Sequence, residues 1–307
     1  MAKVGRNIAA VVVTYNRKEL LAECLKAVCM QEYKPACVYI IDNASTDGTD
    51  EWIKDNGYDG PKEQIEFRYV CLPENIGGSG GFYTGLKMAH EAAEKFEAFW
   101  MMDDDGVPEK TQLQKLASRL DEYDYVSPMV VLKEDSTQCA MVNYTVDEMC
   151  AEAEEGIIHG AANPFNGVLF SRKLVDTIGY PVRDMFLWGD EINYGLRCIK
   201  GGFAPALVVD AIHFHPQNRQ QKVKVLGKQI TLASQDWKLY LLIRNTIYNV
   251  TTLSRKRHIA KVVVQELFYY SIYYMFHSPS WHNLKIIYQA VGDGLKKDLT
   301  RLAEIKK

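Results

Sequence analysis

Residues Phe99–Pro108 read FWMMDDDGVP, and this stretch decides the fold that the sequence predicts. An apolar run ends abruptly in Asp103, Asp104 and Asp105, which are followed by a glycine. Apolar runs of this kind are typical of the inner strands of a parallel sheet, which are covered on both faces. Because ligands of open α/β sheets bind beyond the carboxyl ends of the strands, we expect the three aspartates to face a cleft.

Three adjacent carboxylates repel one another, so the aspartate triplet favours a bound cation. Alternate residues of an extended segment point to the same side, so Asp103 and Asp105 can share one ion while Asp104 faces elsewhere. Oxygen ligands at this density favour Mg²⁺ or Mn²⁺. The alternative interpretation is a solvated acidic loop or the start of a helix, where carboxylates are also favourable.

The chain around this strand alternates between short apolar runs and helical patterns. The predicted strands are Ile8–Tyr15, Val38–Asp42, Phe67–Leu72 and Ala98–Met102. Helical patterns begin at Lys18, at Thr49 and after Phe82. This alternation predicts an α/β fold with a doubly wound, mostly parallel sheet.

The segment 75–82, NIGGSGGF, places four glycines within five residues at the start of a predicted helix. It is not a dinucleotide fingerprint, because Tyr83 stands where G-x-G-x-x-G requires glycine. A helix that opens on glycines could bring backbone N–H groups close to a phosphate. The alternative is that the glycines only let the helix pack closely.

Acidic and histidine residues recur in the second half of the chain. The predicted strands there are Tyr125–Leu132, Val168–Phe170 and Ala206–Val209, and 151–160 is interpreted as a surface segment. Asp190 and Glu191 begin a helix, where the dipole favours carboxylates, but capping would explain only one of them. His213 and His215 follow a strand at alternate positions, so both or only one could serve as a ligand.

The last third of the chain is helical and rich in aromatic residues. Helical patterns occupy 237–250 and 260–276, and an amphipathic helix pair follows from about residue 283. The basic residues Arg255–His258 directly precede the aromatic stripe Phe268–Phe276. This combination fits an interfacial helix on anionic lipid. The alternatives are a core helix or the dimer face of a homo-oligomer.

Composition excludes several classes of protein. The chain has 307 residues, a net charge of −3 and a pI near 6.2, which argues against a nucleic-acid binder. Seven cysteines without a CxxC pair predict free thiols in a reducing compartment, and hence a cytoplasmic protein. No apolar stretch reaches the roughly 18 residues of a membrane span, and none resembles a signal peptide. A location on the inner face of the membrane stays open.

Several motifs in register resemble family 2 glycosyltransferases of the GT-A fold. These motifs are VVTYNR (12–17), IDNASTDG (41–48), NIGGSGGF (75–82), MDDD (102–105) and WGDE (188–191) ahead of YGLR (194–197). NIGGSGGF and WGDE ahead of YGLR narrow the resemblance to bacterial galactofuranosyltransferases and the related rhamnosyltransferases. YLLIRN (240–245) and DGL (293–295) are also similar to those enzymes. The resemblance implies a catalytic domain over 1–220 and a helical region over 221–307. Within the catalytic domain it implies a nucleotide-sugar half to about residue 110 and then an acceptor half.

The resemblance also implies roles for individual residues. The expected nucleotide-sugar contacts are Thr14, Tyr15, Arg17, Asp42, Asn75, Gly78, Asp103 and Asp104, with Asp42 at the base. The expected metal ligands are Asp103, Asp105 and His215, with His213 as the alternative histidine. Glu191 matches the general base, with Asp190 as the other candidate. The chain departs from the family at Gly189, where a Trp is common, and at Glu191, where an Asp is common.

The implied activity is an inverting, metal-dependent transfer of galactofuranose from UDP-galactofuranose to a glycan or lipid-linked acceptor in cell-surface polysaccharide synthesis. A divalent ion can stabilise the leaving diphosphate, and a base can activate the acceptor hydroxyl. The alternatives are a rhamnosyltransferase that uses dTDP-rhamnose and a noncatalytic module that binds a nucleotide sugar. The failed fingerprint at Tyr83 disfavours an NAD-dependent oxidoreductase.

Overall fold

A computed structural model describes residues 5–161, 163–217 and 221–305 of the chain. This part of the chain forms two compact units. We call residues 5–181 and 194–217 the sheet unit, and residues 182–193 and 221–305 the helical unit. No helix among the described residues is both long and apolar enough to cross a bilayer.

The sheet unit alternates strands and helices as the sequence predicts. Its strands are Ile8–Thr14 (β1), Cys37–Asp42 (β2), Pro61–Lys62 (β3), Ile65–Cys71 (β4), Ala98–Asp103 (β5), Val107–Pro108 (β6), Tyr125–Leu132 (β7), Ile157–His159 (β8), Val168–Ser171 (β9) and Pro205–His215 (β10). Its helices are Lys18–Cys29 (α1), Thr49–Asp55 (α2), Gly77–Glu91 (α3), Gln112–Arg119 (α4), Val146–Ala151 (α5) and Arg172–Ile178 (α6). A further helix, Asp190–Lys200 (α7), begins in the helical unit and continues in the sheet unit.

The strands form a mixed, mostly parallel sheet. Among the described residues they pair in the order β3-β4-β2-β1-β5-β9-β7-β10-β6, and β8 pairs with β10. The pairs β4-β2, β2-β1, β1-β5 and β7-β10 are parallel, whereas β9 is antiparallel to both of its neighbours. The predicted fold class is confirmed, with an antiparallel strand at the centre of the sheet.

The central strands are buried on both faces, which explains their unbroken apolar runs. Alternate residues of β1 enter opposite cores: Val12 packs in one with Leu25 of α1, and Val11 packs in the other with Leu86 of α3. A strand buried in this way has no polar face to show in its sequence.

Strand register brings the predicted site residues to one edge of the sheet. Thr14 at the end of β1 lies opposite Asp42 at the end of β2. On the other side of β1, Val13 lies opposite Asp103, the last residue of β5. The carboxyl ends of three parallel strands therefore meet at one place, as the apolar-to-acidic boundary predicts.

Two segments of the sheet unit hold more strand than the sequence predicts. The segment 151–160 is mostly at the surface, as predicted, but it contains the short strand β8. Strand β10, predicted over Ala206–Val209, runs on to His215, and its register with β7 shifts between Val208 and Ile212. The shift carries the strand past the polar Asp210, where the apolar pattern stops, and so places both histidines within β10.

The helical unit contains a β-hairpin and several α-helices. Its elements are Lys222–Val225 (β11), Lys228–Thr231 (β12), Asp236–Leu253 (α8), Lys256–Ile272 (α9), Trp281–Lys296 (α10) and Leu302–Ile305 (α11). A π-helical turn, Tyr273–His277, follows α9. Buried aliphatic residues such as Leu241 and Ile247 of α8 and Ile287 of α10 form its core. The helical C-terminal region is confirmed, whereas the hairpin is an addition to the prediction.

Candidate functional site

Asp104 is tied to the end of β1. Its Oδ2 accepts a hydrogen bond of 2.7 Å from the hydroxyl of Thr14, and its Oδ1 lies 3.2 Å from Nη1 of Arg17. Burial raises the pKa of Asp104 to about 6, although the Arg17 charge and the Thr14 hydroxyl act in the opposite direction. Thr14 and Asp104, both predicted nucleotide contacts, are thus engaged with each other in this structure.

Asp105 bridges Arg17 and His215. Nη1 of Arg17 lies 2.9 Å from Asp105 Oδ2, and Nε2 of His215 lies 3.3 Å from Asp105 Oδ1. Burial alone would lower the pKa of His215, but its contacts with Asp105 and with the carbonyl of Pro216 outweigh burial and raise it. Burial likewise opposes the ionisation of Asp105, but His215 and Arg17 together lower its pKa.

The other histidine, His213, is enclosed by neighbouring segments of the sheet unit. Its side chain is fully buried, and Nδ1 lies 3.0 Å from Oε1 of Gln112. A Cβ atom built on Gly106 would lie 2.1 Å from its Nε2, so the chain after the aspartates passes directly over the ring. Burial, followed by the charge of His215, lowers the pKa of His213 to about 3, which keeps the ring neutral. His215, and not His213, contacts Asp105.

The loops after β2 and β4 hold the other predicted nucleotide contacts. Asp42 is buried; its Oδ1 accepts from the backbone N–H of Ser45, and its Oδ2 accepts a 2.7 Å bond from the Tyr69 hydroxyl. Asn75 accepts from the N–H of Gly77, which turns the chain into α3. Tyr15 is 43% exposed, so its ring is accessible at the end of β1.

The four glycines of segment 75–82 lie in the first turns of α3, and they differ in role. A Cβ atom on Gly81 would lie 2.5 Å from a methyl of Val13, so Gly81 allows α3 to pack closely on β1. A Cβ atom on Gly78 would meet nothing within 4 Å. Close packing therefore explains Gly81, and it leaves Gly78 free for the predicted phosphate contact.

The predicted base residues, Asp190 and Glu191, begin α7 and belong to the helical unit. Asp190 is buried, with 2% of its surface exposed, whereas Glu191 is half-buried. The two residues before them have positive φ angles, +64° at Trp188 and +86° at Gly189. The adjacent carboxylates therefore have different environments, and Glu191 is the more accessible one.

Comparison with known proteins identifies the family of the chain. The model of "Glycosyl transferase family 2" matches residues 9–152. The galactofuranosyltransferase GlfT1 of Mycobacterium tuberculosis is 31% identical over 221 residues, which cover 68% of this chain and 70% of that protein. The chain belongs to glycosyl transferase family 2. GlfT1 of Mycolicibacterium smegmatis is 28% identical over 283 residues, covering 87% of this glycosyltransferase and 89% of that protein.

Solved structures show that this glycosyltransferase has the GT-A fold. S. aureus TarS matches with a TM-score of 0.60 and 14% identity over 97% of the chain, which spans half of that TarS structure. TarS 1–349 in complex with UDP-GlcNAc matches with a TM-score of 0.59 and 14% identity, covering 97% and 83% of the two chains. The mannosyltransferase PcManGT of Pyrobaculum calidifontis, in complex with GDP-Man and Mn²⁺, matches with a TM-score of 0.56 and 15% identity, covering 99% and 79%.

The acidic cluster of this glycosyltransferase fits a metal that is bound together with phosphate. Among the described residues, no three His, Cys, Asp or Glu side chains are grouped to hold a metal ion by themselves. Mg²⁺, however, is usually bound by one or two carboxylates plus substrate phosphates. Oδ1 of Asp105 is buried, and Nε2 of His215 lies 3.3 Å from it without meeting hydrogen-bond geometry. The carboxylates of Asp103 and Asp105 are of the kind that such a site, completed by a diphosphate, requires.

Some residues that build this site have no predicted role. Tyr69 orients Asp42, and Gln112 orients His213. Asn245 and Asn249 of α8 contact the segment before the predicted base. The sequence could have indicated Tyr69, because it lies two residues before the end of β4, the strand that pairs with the strand of Asp42. The asparagines lie more than fifty positions from their partners, so sequence spacing gives no signal for them.

Proposed function

We propose that this glycosyltransferase transfers galactofuranose from UDP-galactofuranose to a hydroxyl group of a glycan or lipid-linked acceptor in cell-surface polysaccharide synthesis. The observation that carries the proposal is the cluster of Asp103, Asp105, Arg17 and His215 at the carboxyl edge of the sheet. The similarity to GlfT1, named a galactofuranosyltransferase, supports the choice of donor.

The cluster supports binding of a diphosphate and a divalent ion. Asp103 and Asp105 would hold Mg²⁺ or Mn²⁺, which when bound stabilises the charge of the leaving diphosphate. The guanidinium of Arg17 is half exposed beside Asp105, so it can turn toward a phosphate oxygen. Asp42, Tyr15 and Asn75 would contact the rest of the nucleotide.

The acceptor hydroxyl is a poor nucleophile and needs a base. We assign this role to Glu191, since it is the more accessible of the two acids at the start of α7. Its carboxylate takes the proton as the acceptor oxygen forms a bond to the anomeric carbon and the bond to the diphosphate breaks. One direct displacement inverts the anomeric configuration.

A panel of nucleotide sugars tests this function. The wild-type protein is incubated with UDP-galactofuranose, dTDP-rhamnose, UDP-GlcNAc or GDP-mannose and Mn²⁺, and release of the nucleoside diphosphate is measured with and without glycan acceptors. We expect turnover with UDP-galactofuranose. Turnover only with dTDP-rhamnose would show that the enzyme is a rhamnosyltransferase. Binding of UDP without turnover of any donor would favour a noncatalytic module.

We also propose that the helical unit contacts an anionic membrane surface on the cytoplasmic side. Arg257, Lys261, Val264 and Phe268 recur at helical spacing and are all exposed, so they form one face of α9. Exposed apolar side chains follow along the chain, with Phe276 73% and Trp281 85% exposed. A basic end followed by an apolar end complements anionic headgroups and the acyl boundary below them.

A further inference from the structure

The segment Met185–Gly189, which leads into the predicted base, has an unusual backbone. Phe186 and Trp188 have φ angles of +67° and +64°, in the left-handed region that favours glycine. Bulky residues in this region are strained and persist only where their surroundings hold them. The residues around Met185–Gly189 must therefore hold the segment in this conformation.

Asn245 of α8 binds the carbonyl groups of this segment. Its Nδ2 lies 3.0 Å from the carbonyl oxygens of Met185 and Leu187 and 2.7 Å from that of Trp188. Its Oδ1 accepts a bond of 2.9 Å from Nε of Arg244, which fixes the orientation of the amide. One buried amide group thus contacts carbonyls on both sides of Phe186 and at Trp188.

Arg244 adds a second set of donors. Its side chain is fully buried, and Nη2 lies 3.0 Å from the carbonyl oxygen of Met185 and 3.2 Å from that of Asp184. A buried guanidinium is costly unless its donors are satisfied, and here backbone carbonyls satisfy them. The carbonyls of the segment are therefore held by a charged donor as well as by an amide.

Asn249, one helical turn further along α8, holds the start of α7. Its Nδ2 donates to the carbonyl of Gly189 at 2.8 Å, and its Oδ1 accepts from Nδ2 of Asn193 at 2.8 Å. The same carbonyl accepts the N–H of Asn193 at 2.9 Å. Asn249 thus contacts the residue directly before Asp190 and the residue two positions after Glu191.

The residue at position 189 must itself be small. A Cβ atom built on Gly189 would lie 3.1 Å from Cβ of Asn245 and 3.3 Å from Nδ2 of Asn249, and φ is +86° there. A side chain at this position would meet these asparagines. The glycine at position 189 and the asparagine contacts therefore belong to one local arrangement.

We propose that Asn245 and Asn249, supported by Arg244, are positioning residues for the general base of this enzyme. By fixing the backbone up to Gly189 and the first turn of α7, they set the direction in which Glu191 and Asp190 project. This inference rests on the proposed function, since it assigns a role relative to the base. A displacement of about 1 Å caused by a mutation away from the chemistry can cost about 10²-fold in rate.

The test uses substitutions that keep size and remove donors. Asn249→Asp keeps the acceptor for Asn193 but places a carboxylate against the Gly189 carbonyl, and Asn245→Asp keeps the acceptor for Arg244 but loses the N–H groups. The matched control is Thr251→Val, also in α8, which removes a buried hydroxyl that has no hydrogen-bond partner in the described chain. Transfer kinetics, UDP affinity by calorimetry and thermal unfolding are measured for each.

We expect kcat to fall by about 10²-fold in the two Asp variants, while the donor KM and UDP affinity stay within about twofold and the control stays active. The decisive readout is a double-mutant cycle. If Asn249 acts through the base, Asn249→Asp should add no more than about twofold to the loss caused by Glu191→Gln or, where Asp190 is the base, by Asp190→Asn. A merely structural role gives the same loss in either background.

The outcomes separate this inference from the function beneath it. Equal losses in both backgrounds, a parallel loss of UDP affinity, or full activity of both Asp variants would overturn the positioning role and leave the transferase intact. Absence of transfer by the wild-type protein with every donor would overturn the proposed function and, with it, the positioning role. Should Asn249→Asp fail to fold, Asn245→Asp is put through the same cycle.

Discussion

Asp103 and Asp105 are the residues whose substitution tests the metal proposal. We expect EDTA to abolish transfer and Mn²⁺ or Mg²⁺ to restore it, because the carboxylate pair fits a metal completed by the diphosphate. Asp103→Asn and Asp105→Asn should remove the dependence of UDP affinity on Mn²⁺, measured by calorimetry. Asp135→Asn, at an exposed acid, is the matched control. Full turnover in metal-free buffer contradicts the proposal.

Substitutions of Asp190 and Glu191 test which of these two acids is the general base. Glu191→Gln keeps the size and removes the basicity, so it should lower kcat by about 10²–10⁴-fold and leave UDP affinity nearly unchanged. Asp190→Asn should affect turnover less and thermal stability more, because Asp190 is buried with 2% of its surface exposed. If Asp190→Asn is inactive and Glu191→Gln is active, the base is Asp190 and not Glu191.

The sequence was sufficient to place Asp103, but it could not distinguish the roles of His213 and His215. The apolar-to-acidic boundary at Asp103 was sufficient to place the acids at a strand end, because burial and polarity change there within one residue. His213 and His215 occupy alternate positions of the same strand, yet of the two only His215 contacts Asp105. The difference arises from Gln112 and from Gly106 and Gly167, which are brought together only by the fold.

At the scale of elements, the contact of α3 with β1 and β2 gives a prediction on stability. A Cβ atom on Gly85 would lie 2.3 Å from a methyl of Val11 and 2.9 Å from Cγ1 of Ile41, both fully buried. Gly85→Ala should therefore destabilise the protein by about 1–3 kcal/mol through overpacking, measured by urea unfolding. A Gly85→Ala protein as stable as wild type would show that α3 can shift away from the sheet.

Gly78→Ala is the matched substitution in the same helix. Its Cβ atom would lie in open space, and alanine favours helix, so stability should stay unchanged or rise by up to about 1 kcal/mol. Calorimetry then decides between the two interpretations of the glycines. Weaker UDP binding at unchanged stability indicates backbone approach to a phosphate, and unchanged binding assigns Gly78 to helix geometry alone.

The type of most elements followed from periodicity, whereas strand direction and exact extent did not. Strand β9 was predicted as a strand from its apolar run, but its antiparallel pairing with β5 depends on the path of the intervening chain. Strand β10 continues beyond Asp210 because β7 and β6 supply backbone partners there. Pairing between distant segments can extend a strand through residues whose local pattern predicts its end.

At the scale of the whole molecule, the positions of Asp103–Asp105 could be predicted from the sequence, whereas the residues that hold the segment before the predicted base could not. The acids Asp103–Asp105 lie within one motif at the end of β5, which pairs in parallel with β1. The segment before Glu191 is held by α8, which begins more than forty residues later. The structure therefore adds residues far along the chain that no local pattern links to the base.

The exposed basic and apolar side chains between Arg257 and Trp281 give the prediction that concerns how the whole molecule is placed in the cell. We expect the protein to float with vesicles that contain phosphatidylglycerol at low salt, and to bind less as salt screens Arg257 and Lys261. Burying an aromatic side chain contributes about 1.5–3 kcal/mol, so Phe276→Ser or Trp281→Ser should weaken binding by about tenfold or more. Met30→Ser is the control, since Met30 is 62% exposed but lies in the sheet unit. Absence of flotation at low salt, where attraction is least screened, would contradict the membrane proposal. A dimer in light scattering that Trp281→Ser dissociates would then assign these side chains to contacts with a second copy of the chain.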